Sequence, residues 1–291
     1  AMADLAARAA AAGAQLLLFP ALSGMLLTPD GAKAVRRWAE GRPAGADRSA
    51  SAAWAEEAAG FLSGLARRHR LHLAASHLVA EGDGWRHEAV VFGSEGAELG
   101  RQAQTHASRR EAAAGLRPAS RLAVIDTPLG RLGLAIGTDT WYPEVSRILT
   151  LSGADVLLFP QAVVRPYPLW RQVAGAWQEV QQNQVFGLES GLAGGSFIGR
   201  AAVFGPCELT PGQTGQLAGV GPSYTTVDAL QPFAGDSRAL HEEALVTAVL
   251  DFGKLDGVRR AYPILSMLNP DAYQRYFPSV YEGAAKEGGG P

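Results

Sequence analysis

The sequence predicts an α/β or α+β protein with sheets inside and helices outside, and three observations carry that class. The pattern GAQLLLFP at 13–20 returns as GADVLLFP at 153–160, so two similar helix–strand units belong to one fold. LGLAIGTDTWYPEV at 132–145 reads as a buried apolar strand, a sharp turn and the start of a helix. RHEAVVFGSEGAELGRQAQ at 86–104 reads as two strands joined at GSEGAE. Apolar strands fed by helices need cover on at least one face.

Ala1 stands before Met2 and is set aside as a cloning remnant. MADLAARAAAA consists of strong helix formers, and Gly13 suits the end of that helix before the strand QLLLFP. A Gly/Pro/Ala-rich loop follows around 41–50, then a helix near 51–69 ending in Arg67, Arg68 and His69, then the strand LHLAASHLVA. PEVSRILTLS is helical. In the second half WRQVAGAWQEVQQNQ reads as a helix, and 185–190, 196–204, 214–220 and 244–251 read as strands. Residues 2–281 are expected to form one domain, with 282–291, ending EGGGP, as a flexible tail.

Composition narrows the function. With 26 Lys and Arg against 28 Asp and Glu, the formal charge of −2 gives no electrostatic case for nucleic acid or an anionic membrane. No uncharged apolar run is long enough for a membrane span. The single cysteine, Cys207, has no internal disulfide partner, and no Cys/His spacing suggests a metal site, so no cofactor is expected; the N-terminal residues do not read as a basic region, apolar core and cleavage site, so a cytoplasmic chain is the expectation. A small molecule or another protein chain is the expected partner.

The order of motifs resembles the nitrilase superfamily, the carbon–nitrogen hydrolases that cleave nitriles, amides and carbamoyl groups, over nearly the whole chain. GAQLLLFPALSG is similar to the strand and loop that end in the family's glutamate, GRQAQTHAS to the segment with its lysine, and GRLGLAIGTDTWYPEVSRILTLSGADVLLFPQA to the elbow with its cysteine. Weaker echoes lie in WQEVQQNQVFGLES and RRAYPIL. The resemblance implies a four-layer αββα sandwich, commonly dimeric through helices that include the one after the elbow. It also implies a strand ahead of the first helix, whereas Met2 opens directly on that helix; a start upstream of the cloned one is the preferred reading.

The departures fall on the chemistry. Ala21 stands where the family has its glutamate, Gln104 where it has lysine and Gly137 where it has cysteine, while Gln182 before Asn183 matches a further acidic position. Glu111, seven residues after Gln104, matches an additional glutamate found in many members. A thiol forms the covalent intermediate, a carboxylate takes its proton and a lysine stabilises the oxyanion; all three are replaced. The expectation is a nitrilase-like protein that has lost hydrolysis and binds a small molecule or partner as a homodimer. A hydrolase with a rearranged, cysteine-independent site and a structural assembly subunit are the alternatives.

Gln104, Glu111, Thr138, Asp139 and Trp141 are the expected ligand contacts. Thr138 and Thr140 flank the elbow without an evident base, and Cys207 lies in a remote turn. Asp139 and Glu144 suit the N-terminus of the helix that starts near Pro143, and Arg147 on that helix either pairs with a carboxylate or is solvated. His106 at a strand end is expected to be hydrogen bonded, and Trp141, Trp170 and Trp177 to pack in the core. His69, His72 and His77 cluster in sequence, but alternation puts His72 and His77 on opposite strand faces. Small residues at 21 and 137 predict an enlarged cavity stripped of charge, suited to a neutral ligand or water.

Overall fold

The computed structural model describes residues 2–42, 48–165, 167–168, 173–221, 232–233 and 242–287. Helix α1 (Met2–Ala11) is rich in alanine, and the chain leaves it at Gly13, whose φ of +78° favours glycine. Strand β1 (Leu16–Leu18) is shorter than QLLLFP, whose Pro20 has no N–H for a ladder. Helix α2 (Pro29–Ala39) is absent from the periodicity reading, although its start is encoded: Pro29 opens it and Thr28 Oγ1 accepts from the Gly31 N–H at 3.0 Å. Helix α3 (Arg48–His69) and strands β2 (His72–Glu81), β3 (Gly84–Phe92) and β4 (Glu98–Ala103) follow as expected.

These strands form one sheet in the order β1-β2-β3-β4, with β1 parallel to β2 and the rest antiparallel. After α4 (Arg109–Ala113), strands β5 (Val124–Thr127) and β6 (Gly130–Leu134) open the second sheet. Helix α5 (Pro143–Leu151) leads to β7 (Val156–Gln161). The short strand β8 (Tyr167–Pro168) pairs with β12 (Pro232–Phe233). Helix α6 (Gln178–Asn183) precedes β9 (Phe186–Gly191), β10 (Arg200–Phe204) and β11 (Gln216–Val220), and the second sheet runs β11-β10-β9-β7-β6-β5. The chain ends on α7 (Phe252–Ala261) and α8 (Pro270–Glu287).

The two repeats thus place one parallel strand in each sheet, each fed by an outer helix. Ala74, Ala89 and Val91 of the first sheet meet Leu132, Leu134, Val156 and Leu158 of the second in one core between the sheets. Outside the first sheet, Ala6, Ala9, Leu62 and Leu65 of α1 and α3 cover Leu17, Leu73 and Val90. Outside the second, Val145, Leu149 and Val180 of α5 and α6 cover Leu157, Phe159 and Phe204. The layers are therefore αββα, and burial of each such large side chain contributes about 1.5–3 kcal/mol. At Gly133 a Cβ would come within 3.0 Å of both Leu149 Cβ and Leu157 Cδ2, so glycine there lets α5 lie close on β6.

Three expectations change. The helix expected over 170–184 is regular only from Gln178, because Gly175 has φ −107° and ψ −123°; Trp170 lies outside the described residues. Residues 244–251 join no sheet, and Val249 is 86% exposed. Period-two alternation sorts side chains onto two faces but supplies no hydrogen-bonding neighbour. Leu245 and Val246 instead border an apolar cavity of about 220 Å³ beside Leu16–Phe19. Of the expected tail, 282–287 belongs to α8, and 288–291 lie outside the described residues, as do 43–47 of the Gly/Pro/Ala-rich loop.

Helix α6 carries a buried carboxylate. Glu179 accepts from Gln182 Nε2 at 2.9 Å, and burial pushes its pKa up from 4.5 to about 7. The folded chain holds a proton there that the unfolded chain releases above pH 4.5. This contribution to stability is full below pH 4.5 and is lost as pH rises toward 7. The difference in unfolding free energy between wild type and Glu179→Gln should therefore shift by about 3 kcal/mol between pH 4.5 and 7.5 in urea titrations. A pH-independent difference would mean that water reaches the carboxyl.

Candidate functional site

The carboxyl ends of β1, β4, β6 and β7 converge, the usual place for a ligand in open sheets of this kind. β1 runs into Ala21, β4 into Gln104, β6 into Gly137, and β7 ends at Gln161. An open cavity of about 440 Å³ lies among Ala21, Gly137, Thr138, Glu111, Trp141 and Gln161. His87, Ser108, Arg110, Trp38, Tyr142, Ala162, Val163 and Val164 complete its lining.

The elbow is built as expected. Gly137 has φ +53°, and a Cβ there would lie 3.2 Å from Gln104 Oε1 and 3.4 Å from Glu111 Oε1. A side chain at this turn would thus point at Gln104 and Glu111, the two residues that motif position picks out. Gln161 Nε2 braces the turn through the Gly137 carbonyl at 3.2 Å and Thr140 Oγ1 at 2.5 Å.

Glu111 is the cavity's carboxylate. It sits in the first turn of α4, where Ser108 and Glu111 form a reciprocal capping box. Its Oε2 accepts from Ser108 N–H at 2.8 Å, Ser108 Oγ at 2.8 Å and Thr138 Oγ1 at 2.5 Å, and its Oε1 accepts from Gln104 Nε2 at 3.1 Å. Thr138 therefore has a carboxylate beside it, contrary to the expectation of no adjacent base; 27 residues separate the pair in sequence. With small residues at 21 and 137, the charged side chains left in the wall are Glu111 and Arg110.

Gln104 and Asp139 lie behind the cavity, both fully buried. Gln104 Oε1 is 2.7 Å from His87 Nδ1, and its Nε2 also donates to the His106 carbonyl at 2.7 Å. Asp139 does not cap α5. Its Oδ1 accepts from Thr105 Oγ1 and His106 N–H, each at 2.8 Å, and from Thr105 N–H at 2.9 Å, which ties the elbow to the end of β4. His106 stacks on Tyr142 with ring centroids 3.7 Å apart. Glu144 accepts from Tyr281 Oη of α8, and Arg147 Nη2 donates to the Gln182 carbonyl at 2.9 Å, so it is paired with a carbonyl rather than a carboxylate.

Trp141 lines the cavity, whereas Trp177 donates to the Thr214 carbonyl at 2.8 Å away from it. Cys207 lies outside the lining, and burial raises its thiol pKa. His87 escaped the sequence reading. Its signal is a polar side chain on the inward face of β3, in step with Ala89 and Val91. His87 Nε2 is 2.8 Å from Ser76 Oγ, and desolvation, the largest influence, lowers its pKa.

The carbon–nitrogen hydrolase family profile matches residues 1–220. The chain belongs to the carbon–nitrogen hydrolase family. It is similar to the N-carbamoylputrescine amidase of Solanum tuberosum, 29% identical over 155 residues, 52% of this chain and 48% of that protein. Thus the match spans about half the length of that curated relative. The chloroplastic omega-amidase of Arabidopsis thaliana is 25% identical over 281 residues, 91% of this chain and 66% of that protein. A carbon–nitrogen hydrolase structure from Helicobacter pylori G27 superposes with a TM-score of 0.69 at 20% identity, covering 94% of this chain and 90% of that one. An amidase from Nesterenkonia sp. AN1, with the acetamide moiety of fluoroacetamide added covalently at its active site cysteine, gives 0.64 at 22% identity, covering 92% and 89%. These likenesses establish a carbon–nitrogen hydrolase sandwich. At the elbow this chain carries Gly137, and no helix among its described residues is long and apolar enough to cross a membrane.

Proposed function

We propose that the cavity binds a small compound through a terminal C–NH2 group, and that the chain lacks the thiol route of carbon–nitrogen hydrolysis. One observation carries this reading: an elbow without a side chain, Gly137, stands beside Glu111 in an open cavity of about 440 Å³. The openness also speaks against a subunit valued for its surface alone. Amides, nitriles and carbamoyl compounds are the test set, since the relatives carry amidase names. Wild type should release no ammonia above background. Turnover that disappears in Glu111→Gln would overturn this reading.

The Thr138–Glu111 contact supports a second reading, cysteine-independent hydrolysis. In it Thr138 Oγ1 attacks the carbonyl carbon, its proton passes through Glu111 to the departing ammonia, and water frees the acyl group. Against it, Oε2 of Glu111 already accepts from Ser108 twice. Thr138→Val separates the readings, because only the second loses turnover.

A cytoplasmic homodimer belongs to the same proposal. A single cysteine suits a reducing compartment. Helix α8 exposes Tyr273, Tyr276, Phe277, Val280 and Tyr281 at helical spacing, and α5 exposes Ile148 and Leu151. Such a stripe supports a second copy of the chain packing there. Tyr276→Asp with Phe277→Asp should halve the mass measured by light scattering, and a monomeric wild type would refute the dimer.

A further inference from the structure

The protons around Glu111 can be accounted for. Ser108 and Thr138 have one hydroxyl proton each, and both go to Glu111 Oε2. The Gln104 amide directs its protons to Glu111 Oε1 and the His106 carbonyl. Gln104 Oε1 can only accept, so the proton between it and His87 is on Nδ1; Ser76 Oγ accepts the Leu22 N–H at 2.9 Å and lies 2.8 Å from His87 Nε2. Desolvation favours the neutral ring, which keeps its proton on Nδ1 and accepts the Ser76 hydroxyl proton at Nε2. Arg110 also lines the cavity; its Nη1 donates to the Ala39 carbonyl at the end of α2, and among the described residues it makes no ion pair with Glu111.

What the cluster around Glu111 offers a ligand is therefore a negative charge that among the described residues has no ion-pair partner, with the hydroxyl protons of Ser108 and Thr138 turned toward it. Much of the remaining lining is aromatic and aliphatic: Trp38, Trp141, Tyr142, Val163 and Val164. At Glu111 a carboxylate ligand would meet like charge, and a carbonyl oxygen would find the protons of Ser108, Thr138 and Gln104 already committed. A donor-rich cation would find acceptors, a counter-charge and aromatic rings, the combination that favours organic cations.

We infer that the cavity takes a compact organic cation, an amidinium or primary ammonium group seated on Glu111. This rests on the ligand-binding reading above and narrows it to a charge class. Acetamidinium, acetamide and acetate share one shape and differ in charge, so calorimetric titration of each into the wild-type protein at pH 7 and low salt is the test. Acetamidinium should bind at least about tenfold more tightly than acetamide, a difference of about 1.4 kcal/mol, and acetate should give no binding. Glu111→Gln should erase the preference, with its far-ultraviolet dichroism checking the fold. Equal or tighter binding of acetamide would overturn the cation assignment and leave the pocket reading standing. Preference for acetate would also overturn it, and binding of none of the three would overturn both.

Discussion

Glu189→Ala should lower the unfolding free energy by about 3–5 kcal/mol, the usual result of stripping one partner from a buried ion pair. Glu189 on β9 accepts from Arg200 Nε on β10 at 2.8 Å, and each side chain is only 3% exposed. The alanine variant removes the carboxylate to which the buried guanidinium donates through Nε, and Gln216 Oε1 lies 3.5 Å from Arg200 Nη2. Glu189→Leu combined with Arg200→Met should recover most of the loss, because two apolar side chains of similar volume carry no desolvation cost. Denaturant unfolding of the two single variants and the double variant provides the cycle. A single-variant loss below about 1 kcal/mol would place the pair in the surface class, where water compensates.

The second large effect concerns the elbow. Gly137→Cys alone should leave ammonia release at background, while Ala21→Glu, Gln104→Lys and Gly137→Cys together should raise it by about a hundredfold or more. The single variant places a thiol at φ +53°, with its Cβ near Gln104 Oε1 and Glu111 Oε1, but supplies neither a free base nor a cation for the oxyanion. Ala21 lines the cavity, so a longer carboxylate can reach into it. Lysine at 104 leaves the His87 Nδ1 proton without its acceptor and places an ammonium near Glu111, which keeps the charge paired. Equal turnover by the single and triple variants would show that Glu111 alone activates the thiol.

Local pattern makes much of this protein legible. The twin GAxxLLFP segments, the hairpin over 86–104 and the strand–turn–helix at 132–145 follow from hydrophobic period and glycine placement, which act between neighbours in sequence. The same holds for the identities of Ala21, Gln104, Gly137 and Glu111, which motif order alone marks out. Which polar groups meet is a different matter. Thr138 finds Glu111 across 27 residues, Asp139 turns to Thr105 across 34, and His87 reaches Gln104 across 17. The absence of 244–251 from both sheets is of the same kind, since a strand exists only where another strand offers its edge. Period and propensity determine which face a residue takes; its hydrogen-bond partner is decided by chain segments distant in sequence that packing brings together. For that reason the elbow was written in the sequence, while the acceptor-rich wall beside it came into being only when β4, α4 and the turn after β6 closed on one cavity.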